Sequence, residues 1–187
     1  MGVIPHASVD AFFHELVVAA LEQQGVGTSE STECYLVGLL GEFTKGRITD
    51  EPLALVLANA EDSGERVKAL KEVGDTSLYM TGFFAESLRK KIVRAEYYIH
   101  MGKAAYRELA NRLCNSTVAE IYDELAARFP TFVDVLATVR EQIDFCGADV
   151  TRLYEAWIVT RSEWIESRLR ELGVLISASD DDESTLH

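Results

Sequence analysis

The segment IVRAEYYIHMGKAAYRELANRL, residues 92–113, carries the helical periodicity from which the fold class follows. On a helical wheel drawn at about 100° per residue, apolar and small residues gather on one side. They are Ile92, Ala95, Ile99, Gly102, Tyr106, Leu109, Ala110 and Leu113. A second apolar side, roughly opposite, holds Val93, Tyr97, Met101 and Ala104. A helix that is apolar on two sides is typical of a central element, so we expect neighbours packed on both faces.

Between these two faces runs a polar strip, which consists of Glu96, His100, Lys103 and Arg107. We interpret it first as the partly solvated edge of a packed helix, in which Glu96 supports His100 one turn further on. Alternatively, His100, Lys103 and Arg107 line a cleft that binds a small anion or an acidic peptide. A third interpretation is a metal site.

The metal interpretation depends on Glu96 and His100, whose spacing of four places both side chains on one helix face. Di-iron helical bundles use Glu-x-x-His pairs, joined by carboxylates from facing helices. Such a site would hold iron or manganese and would make the protein a metal- or ligand-dependent enzyme. The chain has a single pair of this kind, however, and Lys103 and Arg107 would repel a cation. We therefore expect neither a metal nor another cofactor.

Glycines, prolines and capping residues divide the rest of the chain into segments of helical length. The expected helices span about residues 8–24, 28–46, 53–60, 63–74, 75–88, 117–128, 132–146 and 150–172. In this division Gly74 ends one helix and Asp75 caps the next. The nearly all-apolar segment 53–60 is expected to be buried.

These segments predict an all-α fold, a single-domain irregular helical bundle of about eight helices over residues 1–176. No stretch of alternating polar and apolar residues requires a strand. Residues 177–187 include four consecutive acidic side chains and are expected to form a short disordered acidic tail.

The last expected helix carries a second cluster of candidate functional residues, spaced four, three, four, three and four apart. They are Val150, Tyr154, Trp157, Arg161, Trp164 and Arg168, and they include both tryptophans of the protein. One interpretation is the edge of the core, with arginine stems buried and their charged heads in water. The other is an exposed partner-binding surface formed by Trp157, Arg161, Trp164 and Arg168, since tryptophan and arginine are enriched at interface hot spots.

Composition limits the classes of partner. The net charge of −13 disfavours nucleic acid and membrane surfaces, because an acidic body repels phosphate backbones and anionic lipid. With no apolar run of membrane-spanning length and no secretory leader, we expect a cytoplasmic protein. The three cysteines, Cys34, Cys114 and Cys146, have neither disulfide nor metal-site spacing, so we expect small buried side chains.

No motif of an established catalytic class is present. The segment GEFTKGR has the wrong spacing for a phosphate-binding loop, and GVGTSE lacks the third glycine and the preceding strand. There is no Gly-x-Ser-x-Gly elbow. We therefore expect a non-enzymatic protein-interaction or regulatory module that binds a protein partner or a second copy of itself. The alternative is the di-iron-like enzyme centred on Glu96 and His100.

Overall fold

The structure, a computed structural model, describes residues 9–44, 51–85, 88, 95–146, 150–171 and 174. These residues form nine α-helices and no strand, which confirms the all-α fold. The helices are α1 Val9–Gln24, α2 Glu30–Phe43, α3 Leu53–Ala58, α4 Ser63–Phe83, α5 Ala95–Arg112, α6 Thr117–Ala127, α7 Phe129–Cys146, α8 Val150–Thr160 and α9 Glu163–Glu171. The acidic tail, 177–187, lies outside the described residues.

Local capping chemistry explains where several helices begin and end. The Ser29 hydroxyl accepts a hydrogen bond from the backbone N–H of Thr32 at 3.1 Å, which fixes the start of α2. Asp62 does the same for α4 through the N–H of Glu65 at 2.8 Å. Beyond the end of α1, Gly25 adopts a left-handed φ of 64°, the conformation that helix C-termini reserve for glycine.

Helix α5 lies between α4 and α6 and also contacts α7, while α1 packs against α2 and α7. The centre of the core is aromatic and aliphatic, with Tyr106, Phe129 and Leu136 fully buried. The second apolar face expected on α5 is packed only in part. Met101 packs against the core, Tyr97 and Ala104 are exposed, and Val93 lies outside the described residues.

Two glycines allow α5 to approach α4 and α7 closely. A Cβ at Gly74 on α4 would lie 2.5 Å from the Tyr106 ring on α5, and one at Gly102 on α5 would lie 2.8 Å from Ser77 Cβ on α4 and 2.5 Å from the Phe129 ring on α7. Only glycine leaves room for rings at these distances, which outweighs its unfavourable helix propensity. The expected helix break at Gly74 and Asp75 is wrong, because α4 runs unbroken through both residues.

Burial differs from expectation in two further places. In α3 only Leu53 is buried, and Leu55 is 51% exposed, so the prediction of a buried helix there is wrong. Cys34 and Cys114 are exposed free thiols, although we expected them to be buried. The side chain of Cys146 lies outside the description. In the described part of the chain, no helix is both long and apolar enough to cross a membrane.

Candidate functional site

The structure places the polar strip on the solvent-facing side of α5. Glu96, His100 and Arg107 are exposed, and Lys103 is half-buried. Among the described residues, no group of three histidine, cysteine, aspartate or glutamate side chains is arranged to hold a metal ion. Glu96 and His100 lie one turn apart on α5, and no third described side chain completes a metal site with them.

The helix predicted over residues 150–172 is two helices. The chain turns at Arg161 and Ser162, where Arg161 adopts a left-handed φ of 50° although it is not glycine. Such a conformation is sterically unfavourable for a side chain with a Cβ. Its backbone N–H donates to the Trp157 carbonyl at 2.7 Å, and its guanidinium lies 4.5 Å from the centroid of the Trp157 ring. These two contacts hold the corner between α8 and α9.

The turn changes the role of the tryptophans and arginines. Trp157 is buried, and its indole N–H has no acceptor among the described residues, so packing and Arg161 hold the ring. Trp164 is half-buried beneath the guanidinium of Arg140, 5.9 Å from its ring centroid. Arg168 is also half-buried, which leaves Arg161 as the one fully exposed member of the four.

A different set of α8 residues faces solvent. Val150 is 39% exposed, Tyr154 40% and Ile158 47%, and their spacing of four places them along one side of the helix. We refer to these three as the α8 ridge. Every α8 residue that is described as exposed belongs to it, so no described charged side chain of this helix is fully exposed there. Elsewhere among the described residues, large apolar side chains are exposed singly, at Leu55, Tyr97 and Val118.

A buried carboxylate cluster, which the sequence did not predict, joins three helices. The Oδ1 atom of Asp75 on α4 accepts hydrogen bonds from the hydroxyls of Tyr35 at 2.5 Å and Tyr106 at 2.8 Å. Its Oδ2 atom accepts from Nζ of Lys71 at 2.6 Å, and Nζ also lies 3.6 Å from Glu42. We call Asp75, Lys71, Tyr35 and Tyr106 the Asp75 cluster.

Burial controls the ionisation of this cluster. It raises the pKa of Asp75, against the opposing effects of the Lys71 ammonium and the two phenol donors. Burial alone would lower the pKa of Lys71, but the Asp75 carboxylate more than compensates and raises it. Burial, followed by the charge of Asp75 and the hydrogen bond to it, raises the pKa of Tyr106 well above its ordinary value.

The arrangement is suited to linking helices. Both carboxylate oxygens of Asp75 have partners, and those partners come from α2, α4 and α5. A fully satisfied buried network of this kind fixes the relative positions of the elements that contribute to it. A signal was present in the sequence, since Lys71 and Asp75 are four apart on one helix. It was obscured by Gly74, which imitates a helix end.

No protein-family model, curated protein or solved structure matches this chain.

Proposed function

We propose that this protein is a non-enzymatic interaction module that self-associates through the α8 ridge. The observation that carries the proposal is the contiguous exposed row of Val150, Tyr154 and Ile158 on a single helix. Scattered exposed apolar residues are ordinary on protein surfaces, whereas a contiguous row indicates a contact surface. Arg161 and the ring of Trp157 beneath it extend this surface towards α9.

A second copy of the chain is the partner that this surface fits. At a net charge of −13, two copies repel each other over most of their surfaces. The α8 ridge has no fully exposed described charge, so it sets little like charge against like charge when two copies meet there. An antiparallel two-fold pairing sets Tyr154 against its symmetry mate and Val150 against Ile158, so the apolar row covers itself.

The size of the ridge sets the strength of the contact. Stable dimers bury about 800 Å² per partner, and three partly exposed side chains supply only a fraction of that area. We therefore expect a reversible dimer with a dissociation constant that is roughly micromolar or weaker. Added salt should strengthen the dimer, because it screens the repulsion between two acidic copies. A basic partner protein would show the opposite salt dependence.

Sedimentation equilibrium over a range of protein concentrations tests this proposal. The weight-average mass should rise above the monomer value of 20.8 kDa as concentration increases. Ile158→Asp places a charge in the contact, and we expect it to weaken the dimer at least about tenfold. Leu55→Asp is the matched control, because Leu55 is equally apolar and is 51% exposed on α3.

If Leu55→Asp and Ile158→Asp weaken association equally, the α8 ridge is not the interface. A chain that remains at the monomer mass up to millimolar concentration and at high salt would remove the proposal altogether. Circular dichroism of both variants checks that the helical content is unchanged.

The proposed location is the cytoplasm, and the proposed partners include neither nucleic acid nor membrane surfaces. The exposed thiols of Cys34 and Cys114 are typical of a reducing compartment, which supports the cytoplasm. The acidic net charge supports leaving nucleic acid and membrane surfaces out of the list of partners.

A further inference from the structure

An open cavity lies between α1 and α2, away from the α8 ridge. Its volume is about 420 Å³, within the range of about 300–1,000 Å³ that is typical of small-molecule sites. The residues that line it are Asp10, Ala11, His14, Cys34, Val37 and Gly38. Most of the accessible lining is apolar, with a few polar groups. A cavity of this size and lining has room for a small organic molecule.

Gly38 indicates that the cavity is kept open at the expense of helix stability. A Cβ at Gly38 would meet no atom within 4 Å, whereas at Gly74 it would overlap the Tyr106 ring. Gly38 lies in the interior of α2, where alanine is the more stable residue. Helix packing explains Gly74 and does not explain Gly38. The absence of a side chain at Gly38 leaves space on the cavity wall.

The charges around the cavity favour a cation. His14 Nε2 lies 3.0 Å from Glu33 Oε1, so the imidazole is already paired with a carboxylate. Asp10, by contrast, makes no hydrogen bond or ion pair with any described residue, and its carboxylate is exposed at the cavity wall. Asp10 is therefore the one carboxylate among the lining residues, and the imidazole of His14 is held by Glu33, which lies outside the lining. An unpaired carboxylate beside an apolar surface is complementary to a protonated amine on an apolar body.

We propose that this cavity binds a small organic amine, with its apolar body against Val37, Ala11 and the space at Gly38, and its ammonium group on Asp10. The proposal is independent of self-association, because none of these residues belongs to the α8 ridge. Its failure would leave the proposed function standing.

The exposed thiol of Cys34 provides the measurement. The rate at which iodoacetamide alkylates Cys34 is followed by peptide mass spectrometry, with exposed Cys114 as the internal reference. The probe is 2-phenylethylamine, compared with its neutral analogue 2-phenylethanol and the anion 3-phenylpropanoate. We expect the amine to slow alkylation of Cys34 but not of Cys114, at concentrations about tenfold lower than the alcohol requires. The anion should give no protection.

Two variants complete the test. Asp10→Asn should remove the advantage of the amine over the alcohol, and Gly38→Leu should fill the cavity and abolish protection by both compounds. Unchanged alkylation of Cys34 at the solubility limit of the amine would overturn the proposal. Equal protection by amine, alcohol and anion would also overturn it, as would an Asp10→Asn variant that keeps the full preference for the amine.

Discussion

Replacing Asp75 with alanine should destabilise the protein more than replacing any exposed acidic residue with alanine. The variant leaves the Tyr106 hydroxyl, which is fully buried, without its acceptor at 2.8 Å, and an unsatisfied buried group costs about 1–3 kcal/mol. The Tyr35 hydroxyl loses the same carboxylate acceptor. Lys71 is 40% exposed and regains water, so its ion pair adds less than about 1 kcal/mol.

Together these losses amount to about 3 kcal/mol. This figure allows for the cost of burying a carboxylate, which the variant no longer has, since Asp75 is only 5% exposed. Urea unfolding measures the change as a lower midpoint at unchanged m-value. Tyr106→Phe should lower the free energy of unfolding by about half as much as Asp75→Ala. The double variant should lose less than the sum of the two single losses. Asp123→Ala, an exposed aspartate on α6, is the control and should change stability by less than about 0.5 kcal/mol.

A loss below about 1 kcal/mol for Asp75→Ala would refute the reasoning, because two phenol hydrogen bonds to one buried carboxylate cannot be worth so little. Strict additivity with Tyr106→Phe would refute it too, since the two residues share one interaction.

Two further predictions concern the core. Gly102→Ala should lower the free energy of unfolding by about 1–3 kcal/mol, because the new methyl group would lie 2.5 Å from the Phe129 ring. Gly38→Ala should raise the free energy of unfolding by about 0.5–1 kcal/mol, because its methyl group would meet no other atom within 4 Å. Thermal unfolding measures both changes, and equal effects would contradict the packing account. Burial raises the pKa of Tyr79 to about 12, so its contribution to stability is complete below pH 10 and is lost as pH rises towards 12. Between pH 10 and 12 the free energy of unfolding, measured with urea, should therefore fall further in the wild type than in Tyr79→Phe, by up to about 2–3 kcal/mol. Superimposable pH profiles of the two proteins would contradict the raised pKa of Tyr79.

The sequence predicted most helix boundaries because those boundaries depend on local chemistry. Ser29 caps α2 and Gly25 follows α1 in the left-handed conformation, as the residue types indicate. The prediction from local chemistry is wrong at Gly74 and Asp75, because a glycine followed by an aspartate resembles a helix end followed by a new cap. Their actual roles depend on Tyr106, which is distant in sequence, since Gly74 makes room for its ring and Asp75 accepts from its hydroxyl.

The corner at Arg161 was not predictable for the opposite reason. It contains neither glycine nor proline, and a backbone hydrogen bond and a stacking contact with Trp157 hold an arginine in a conformation that it rarely adopts. Burial was also only partly predictable, because periodicity shows which face of a helix is apolar but not whether another helix covers it. Leu55 and Ile158 lie in apolar patterns and are both exposed. The candidate contact surface on α8 therefore emerged from the structure, although the sequence indicated the segment that contains it.

Oxidative cross-linking at position 154 tests the pairing of two α8 ridges most directly. In a background with Cys34, Cys114 and Cys146 replaced by serine, the account predicts that Tyr154→Cys forms a covalent dimer rapidly and more completely at higher salt. Leu55→Cys, equally accessible on α3, should remain monomeric under the same conditions. Equal rates of cross-linking at the two positions would contradict self-association through α8.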